Sequence, residues 1–174
     1  MPPRNDAPAK QLASFIGKFT PEIAALARAV LKTMRTRYPT ALELVYDNYN
    51  ALAIGYGPTE RSSEAIFSIA IFPKWISLFL LQAQKGSTPL PDPEKRLQGS
   101  GNVVKHIRLA SAATLDEPAV RALMREAEAR AAVPFDPKGK HRLIIKSISA
   151  KQRPRRPAGS SPLPDSAFIT PLTN

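Results

Sequence analysis

Two stripes of apolar residues at helical spacing open the chain. The first comprises Leu12, Phe15, Ile16 and Phe19, and the second comprises Ile23, Leu26, Ala27, Val30, Leu31 and Met34. Residues three and four positions apart share one face of a helix, so each stripe predicts a helix with one buried face. Thr20 and Pro21 suit the N-cap and the first position of the second helix. Tyr38 should end that helix, because the residue before a proline is disfavoured in the α conformation.

From residue 41 the pattern changes to short apolar runs separated by turn residues. The runs lie at 42–46, 51–56, 64–72, 75–81 and 103–109. Their length and residue types predict strands. Only Pro73 and Lys74 separate the third run from the fourth, which requires an antiparallel hairpin. A last helical stripe follows at 116–132. This order predicts an α+β fold: two N-terminal helices, an antiparallel β-meander, and a C-terminal helix packed on one face of the sheet.

Proline content and charge mark the two ends of the chain. Three prolines and few apolar residues predict disorder at 1–9. We assign the folded domain to 10–133 and a basic, proline-rich tail to 134–174. Within that tail, 141–148 is a candidate edge strand, and disorder is expected from residue 150 onward.

The net charge of +11 is concentrated in the tail. Residues 138–174 carry 8 lysines and arginines against 1 acidic residue, whereas residues 1–137 carry 17 against 13. The eight cations are Lys138, Lys140, Arg142, Lys146, Lys151, Arg153, Arg155 and Arg156. Such a cluster can bind phosphate in a salt-sensitive way, so weak nonspecific binding of nucleic acid or anionic lipid is one expectation. A solubilising tail without a partner is the other.

Cysteine is absent, which excludes disulfides and thiolate metal sites. No apolar run approaches the roughly 20 residues that span a bilayer, and no apolar signal segment follows Met1. We therefore expect a cytoplasmic protein without membrane insertion.

Aromatic and cationic residues on or beside the predicted sheet are the candidate ligand-binding residues. They are Tyr46, Tyr49, Lys74, Trp75, Lys105, His106 and Arg108. Aromatic rings interleaved with cations suit stacking on bases or holding a small anionic molecule. The alternative is structural, because sheet aromatics commonly pack in the core and charged side chains are commonly solvated.

No complete catalytic or metal-binding signature is present. Gly55 and Gly57 form a fragment of a dinucleotide-binding fingerprint, but Pro58 follows them. The carboxylates nearest the meander are Glu43, Asp47, Glu60 and Glu64. Two of them could meet across a hairpin, although carboxylates at strand ends are usually solvated. We predict no catalytic residue, no resident cofactor and no metal site.

A set of short segments, in order along the chain, carries a family resemblance. They are Tyr38-Pro39, Val45-Tyr46, Phe72-Pro73-Lys74-Trp75-Ile76-Ser77-Leu78, Leu97-Gln98-Gly99-Ser100-Gly101, Lys105-His106-Ile107-Arg108-Leu109, Leu115 and Val120-Arg121-Ala122-Leu123. Together they resemble the YdhG-like family, which is defined by a domain of unknown function, over about residues 10–132. The resemblance implies a small helix-on-sheet α+β domain. It also implies frataxin-like iron-chaperone activity, which has been proposed for part of the family.

The leading functional hypothesis is a non-enzymatic binding module for a small or anionic ligand. The alternative is a frataxin-like intracellular iron chaperone, with iron as its cargo. We rank it second because iron delivery needs clustered carboxylates, while residues 1–137 are net basic. Nonspecific nucleic-acid binding through the basic tail is the second alternative.

Overall fold

Three helices cover one face of a six-stranded sheet in the computed structural model, which describes residues 7–82, 88–99 and 104–158. The helices are α1 (Ala7–Gly17), α2 (Pro21–Arg37) and α3 (Pro118–Ala129), and the strands are β1 (Leu42–Asp47), β2 (Leu52–Gly57), β3 (Phe67–Ile71), β4 (Ile76–Leu80), β5 (His106–Arg108) and β6 (Arg142–Ile148). Two short 3₁₀ turns, Ser62–Glu64 and Ala112–Asp116, precede β3 and α3. The predicted α+β class and its order of elements are confirmed.

The sheet has the strand order β5-β4-β3-β2-β1-β6. β1 to β5 form the expected antiparallel meander, with the β3–β4 hairpin turning at Pro73 and Lys74. The candidate edge strand exists as β6, and it lies parallel to β1 with a bulge between Val45 and Tyr46. The sheet is therefore mixed, and its sixth strand comes from the segment that was assigned to the tail.

Alternation along each strand separates a helix-covered face from an opposite face. Val45, Ile54 and Ile69 lie side by side on the covered face and belong to one buried core with the helices. The stripe Val120, Leu123, Met124 and Ala127 of α3 joins the same core. The opposite face carries small residues in its centre, with Gly55 opposite Ser68, and larger polar or aromatic residues toward β5.

Two expectations about disorder need correction. α1 already begins at Ala7, because Pro8 falls in the first turn, where a backbone N–H has no helical acceptor to lose. Residues 149–158 do not follow the expected disorder from residue 150, because they pack against the sheet and bury Arg155. The remainder of both terminal segments, 1–6 and 159–174, lies outside the described residues.

The five predicted strands of the meander are present, but three are shorter than expected. Glu64, the first residue of the predicted strand at 64–72, instead belongs to a 3₁₀ turn, and β3 begins at Phe67. The predicted strands at 75–81 and 103–109 are reduced to Ile76–Leu80 and His106–Arg108. Among the described residues no helix combines the length and apolarity that crossing a bilayer requires.

Candidate functional site

The β3–β4 hairpin turn presents an aromatic pair at the end of the sheet. The backbone N–H of Phe72 donates to the carbonyl oxygen of Trp75 at 2.9 Å, which closes the turn around Pro73 and Lys74. The rings of Phe72 and Trp75 stack with centroids 4.8 Å apart. The guanidinium carbon of Arg108 lies 5.1 Å from the centre of the Trp75 ring. Trp75 is thereby fixed, yet 36% of its surface remains exposed.

The chain after β6, residues 149–158, is called the C-terminal segment below. It runs along the β1–β2 turn and is attached there by backbone hydrogen bonds. Ser149 donates to the carbonyl of Asp47 and Arg153 donates to the carbonyl of Tyr49, both at 2.9 Å. The amide of Gln152 adds a contact to the Asp47 carbonyl at 3.1 Å. These bonds bring the C-terminal segment to the same end of the sheet as the hairpin turn.

A buried ion pair anchors the C-terminal segment. Arg155 Nη2 lies 2.8 Å from Asp47 Oδ1, and the two side chains are 3% and 1% exposed. Arg155 also donates to the carbonyl of Asn48 at 2.6 Å, and its guanidinium lies over the ring of Phe19. Lys18 Nζ is 3.8 Å from the other oxygen of Asp47. Because these contacts fix Arg155 in the interior, they also fix the backbone of the nearby residues Arg153 and Arg156 at the surface.

Between the hairpin turn and the C-terminal segment lies a groove of about 650 Å³, called the hairpin groove below. Its walls are apolar, cationic or amide side chains: Asn50, Phe72, Pro73, Lys74, Trp75, Arg153, Pro154, Arg156, Pro157 and Ala158. Lys74, Arg153 and Arg156 form no ion pair with a carboxylate within 7–82, 88–99 and 104–158. Arg153 also stacks over Tyr49 at 5.5 Å, and Arg156 donates to the carbonyl of Lys18 at 3.3 Å. The groove therefore presents positive charge beside an aromatic wall.

The structure brings together residues that the sequence placed in two unrelated sets. Lys74 and Trp75 were candidates on the sheet, while Arg153 and Arg156 were assigned to the tail, and all four line the hairpin groove. Tyr49 joins them through its contact with Arg153.

The other sheet candidates lie outside the groove lining. His106 stacks on Phe79 with ring centroids 5.0 Å apart, and Lys105 donates to the carbonyl of Gly99. Arg108 reaches the groove only through its contact with Trp75. Tyr46 is half-buried, and its hydroxyl has no hydrogen-bond partner among the residues that the structure describes.

The remaining tail cations differ in their availability. Lys138, Lys140 and Lys151 are exposed. Glu60 engages two others, because its carboxylate pairs with Arg142 at 2.8 Å and its carbonyl accepts from Lys146 at 3.1 Å. Arg155 is interior. The tail is therefore not a uniform row of free charges.

Sequence reasoning missed a second polar cluster, which is centred on the fully buried Glu43. Arg35 Nε donates to Oε1 of the Glu43 carboxylate at 2.7 Å, and the Tyr56 hydroxyl donates to Oε2 at 3.0 Å. His141 Nε2 lies 2.5 Å from Oε1. Burial alone would raise the pKa of Glu43, but hydrogen bonds from His141 and Arg35 outweigh it, and the net pKa is lowered. Burial raises the pKa of Tyr56 well above its ordinary value, and the neighbouring Glu43 carboxylate adds to this.

A signal for this cluster was present in the strand pattern. Glu43 has the same parity as Val45 in β1, so strict alternation places its side chain on the covered face with the core. A carboxylate at such a position needs cationic or hydrogen-bonding partners.

The four carboxylates near the meander are not assembled for a metal. Glu43 is taken up by the cluster just described, Asp47 pairs with Arg155 and Glu60 pairs with Arg142. Glu64 accepts from the hydroxyl of Thr59. Among the described residues no group of three histidine or carboxylate side chains is placed to hold an ion.

Comparisons with protein-family models, curated proteins and solved structures found no match. The YdhG-like resemblance stays a prediction, and the functional argument rests on the geometry of this chain.

Proposed function

We propose that this protein is a non-enzymatic binding module that holds an anionic ligand with an apolar or aromatic part in the hairpin groove. The observation that carries the proposal is the joining of Lys74, Arg153 and Arg156 with the Phe72–Trp75 wall around one cavity. A cytoplasmic location and membership of the YdhG-like family belong to the same proposal.

The charge of the groove favours an anion. Three cations line it, and none of the described lining residues is acidic. Cations that face a partly enclosed surface without carboxylate partners strengthen the local positive potential, because the low-dielectric wall reduces screening. A carboxylate, sulfate or phosphate group would form charge-assisted hydrogen bonds with these side chains.

The remaining walls favour an apolar or planar portion on the same ligand. Phe72, Trp75 and the three prolines Pro73, Pro154 and Pro157 supply most of the non-charged lining. Ligand sites commonly combine apolar walls with a few placed polar groups. Phe72 and Arg108 already stack on Trp75, so we assign the ligand's contact to the exposed part of that ring.

Trp75 is the only tryptophan in the chain, so its fluorescence reports on the hairpin groove directly. Titration with phenyl phosphate should change this emission in a saturable way. Inorganic phosphate and benzyl alcohol, which each supply one half of the proposed recognition, should bind more weakly than phenyl phosphate. Substitution Lys74→Met, which keeps the aliphatic length and removes the charge, should weaken binding by about tenfold, the size expected for one charge-assisted hydrogen bond.

Lys151→Met is the matched control, because Lys151 is an exposed cation of the same C-terminal segment that does not line the groove. It should leave the affinity for phenyl phosphate unchanged. Equal weakening by both substitutions would assign the effect to overall charge, and an emission that never responds to phenyl phosphate would refute the proposed site.

Nucleic-acid binding through the basic tail is a second candidate. It is supported by the exposure of Lys138 and Lys140 before β6 and of Lys151 after it. This binding would rest on phosphate contacts without base recognition. The iron-chaperone hypothesis stays a prediction carried by the family resemblance alone.

A further inference from the structure

A second cationic cavity lies between α2 and α3, on the helical side of the molecule. Its volume is about 420 Å³, and it is lined by Lys32, Thr33, Thr36, Arg37, Asp116 and Arg121. We propose that this helix cavity is a binding site for a multivalent phosphate group such as a diphosphate. The site is separate from the hairpin groove, with which it shares none of the described lining residues.

Arg37 forms a fixed wall of the helix cavity. Its Nη1 donates to the carbonyl of Leu115 at 2.9 Å, and its Nη2 lies 2.6 Å from Asp116 Oδ1. The side chain is only 16% exposed. Asp116 therefore neutralises Arg37 and holds it in place, so that the charge balance of the cavity is decided by the remaining two cations.

Those two cations, Lys32 of α2 and Arg121 of α3, line the cavity from two different helices. Both are exposed, and neither forms an ion pair in the part of the chain that the structure describes. The cavity consequently carries two uncompensated positive charges. The Thr33 side chain adds a hydroxyl group that can donate to an oxyanion.

The position of Arg121 argues against a purely structural role. Lysines and arginines near the end of α2 stabilise that helix, because its C-terminus carries partial negative charge. Arg121 instead stands in the first four residues of α3, where the helix dipole disfavours a cation. An anion bound in the cavity would offset the charge of the Arg121 guanidinium at this unfavourable position.

A neighbouring cavity explains why the proposed ligand carries more than one phosphate. This second space, of about 210 Å³, shares Arg37 and Arg121 with the first and adds Arg125. Glu128 is the one carboxylate among its described lining residues, and burial raises the pKa of that carboxyl. Two linked phosphate groups could occupy the two spaces with Arg121 between them.

Calorimetric titration of the full chain with inorganic diphosphate tests the site. We expect a saturable site whose affinity falls at least about tenfold in Lys32→Met and in Arg121→Met, since each removes a charge-assisted contact. Arg28→Met is the matched control, because Arg28 is an exposed cation of α2 that does not line the cavity. Lys74→Met, which weakens the anion contact of the hairpin groove, should leave the diphosphate binding that depends on Lys32 and Arg121 unchanged.

The outcomes distinguish diphosphate binding in the helix cavity from binding in the hairpin groove and from nonspecific attraction to the net positive charge of the protein. Loss confined to Lys32→Met and Arg121→Met, with thermal melts equal to the native chain, supports the helix cavity. The absence of saturable binding, or an equal loss in Arg28→Met or Lys74→Met, overturns it. A parallel titration with ADP identifies the source of the group: equal affinity assigns free diphosphate, whereas tighter binding assigns a nucleotide, and either result retains the site.

Discussion

Glu43 is a charged residue that the fold buries completely, and its partners explain why this is tolerated. An isolated carboxylate in the core would be protonated or strongly destabilising. Here Arg35 and His141 supply positive or hydrogen-bonding groups from two different segments, and Tyr56 donates from the neighbouring strand. Since His141 immediately precedes β6, the same cluster connects α2, β1, β2 and the start of β6.

Glu43 should make the protein sensitive to acid. Its pKa in the folded chain lies below the ordinary value of 4.5, at which it titrates once unfolded. Its stabilising contribution is therefore complete above 4.5 and is lost as the pH falls through the lower folded value. We expect Glu43→Gln to reduce the free energy of unfolding by about 3 kcal/mol at neutral pH, because it removes the charge from a buried, paired position.

Urea unfolding at pH values on both sides of 4.5 measures this effect. The difference in the free energy of unfolding between the native chain and Glu43→Gln should become smaller as the solution becomes more acidic. Glu94→Gln, at a carboxylate that is 63% exposed, serves as the control and should be close to native throughout. If the difference in the free energy of unfolding between the native chain and Glu43→Gln stays constant with pH, the assignment of the lowered pKa to Glu43 in this cluster is contradicted.

Individual site residues could be predicted only where one local pattern carried the signal. Lys74 and Trp75 were found because an aromatic residue and a cation stand together in a short hairpin. The inward position of Arg155 could not be found in the same way, because the tail reads as a row of equivalent cations. Its burial depends on Asp47, which lies 108 residues earlier in the chain.

β6 is the element in which the observed fold differs most from the predicted one, because it adds a parallel strand to the antiparallel meander. Its residues were recognised as a candidate strand, but an isolated apolar run does not specify its neighbour. Pairing with β1 places Leu143 and Ile145 beside Glu43 and Val45, and both join the edge of the core. The helices and the meander were predictable because their periodicity and turns are local, whereas this parallel pair joins segments far apart in sequence.

Removing β6 and the C-terminal segment in steps should destabilise the domain in steps. A chain that ends after residue 148 loses Arg155 and leaves Asp47 buried without its closest cation. A chain that ends after residue 132 also loses the strand that pairs with β1 and the apolar contacts of Leu143 and Ile145. We expect thermal melts to show a lower midpoint for the first truncation and a still lower or non-cooperative transition for the second.

The second truncation also tests the boundary near residue 133 that the sequence favoured. A cooperative melt at the native midpoint for the chain ending after residue 132 would support that boundary and show that β6 is dispensable. Arg155→Ala in the full chain is the matched comparison for the first truncation, because it removes the anchoring charge and leaves the backbone contacts.

At the scale of the whole molecule, the charge of +11 overstates what the tail offers to a polyanion. Arg142 is paired with the Glu60 carboxylate, and Arg155 with that of Asp47. Six of the eight tail cations form no such pair among the described residues, namely Lys138, Lys140, Lys146, Lys151, Arg153 and Arg156. The composition predicted the basic character correctly, but it could not show which charges the fold itself uses.

Binding of generic duplex DNA should therefore depend on salt less steeply than eight charges imply. Each neutralised phosphate contributes about −0.9 to the slope of log affinity against log salt, so six tail cations account for a slope of roughly −5.4. Fluorescence anisotropy across low and physiological salt measures it. Replacing Lys138, Lys140 and Lys151 together with methionine should reduce the slope by about 2.7, and an unchanged slope would exclude the tail as the contact surface.

The parallel pairing of β1 with β6 also bears on how the protein is made. Leu42 pairs with Arg142, so a ribosome synthesises roughly 100 further residues before the partner of β1 emerges. During that interval the outer edge of β1 has unpaired backbone groups, which are a template for association with other chains. The parallel strand is added after the antiparallel meander can form, and closing so long a loop is slow. Nascent chains should consequently depend on β6 for protection against aggregation, even where the meander has already folded.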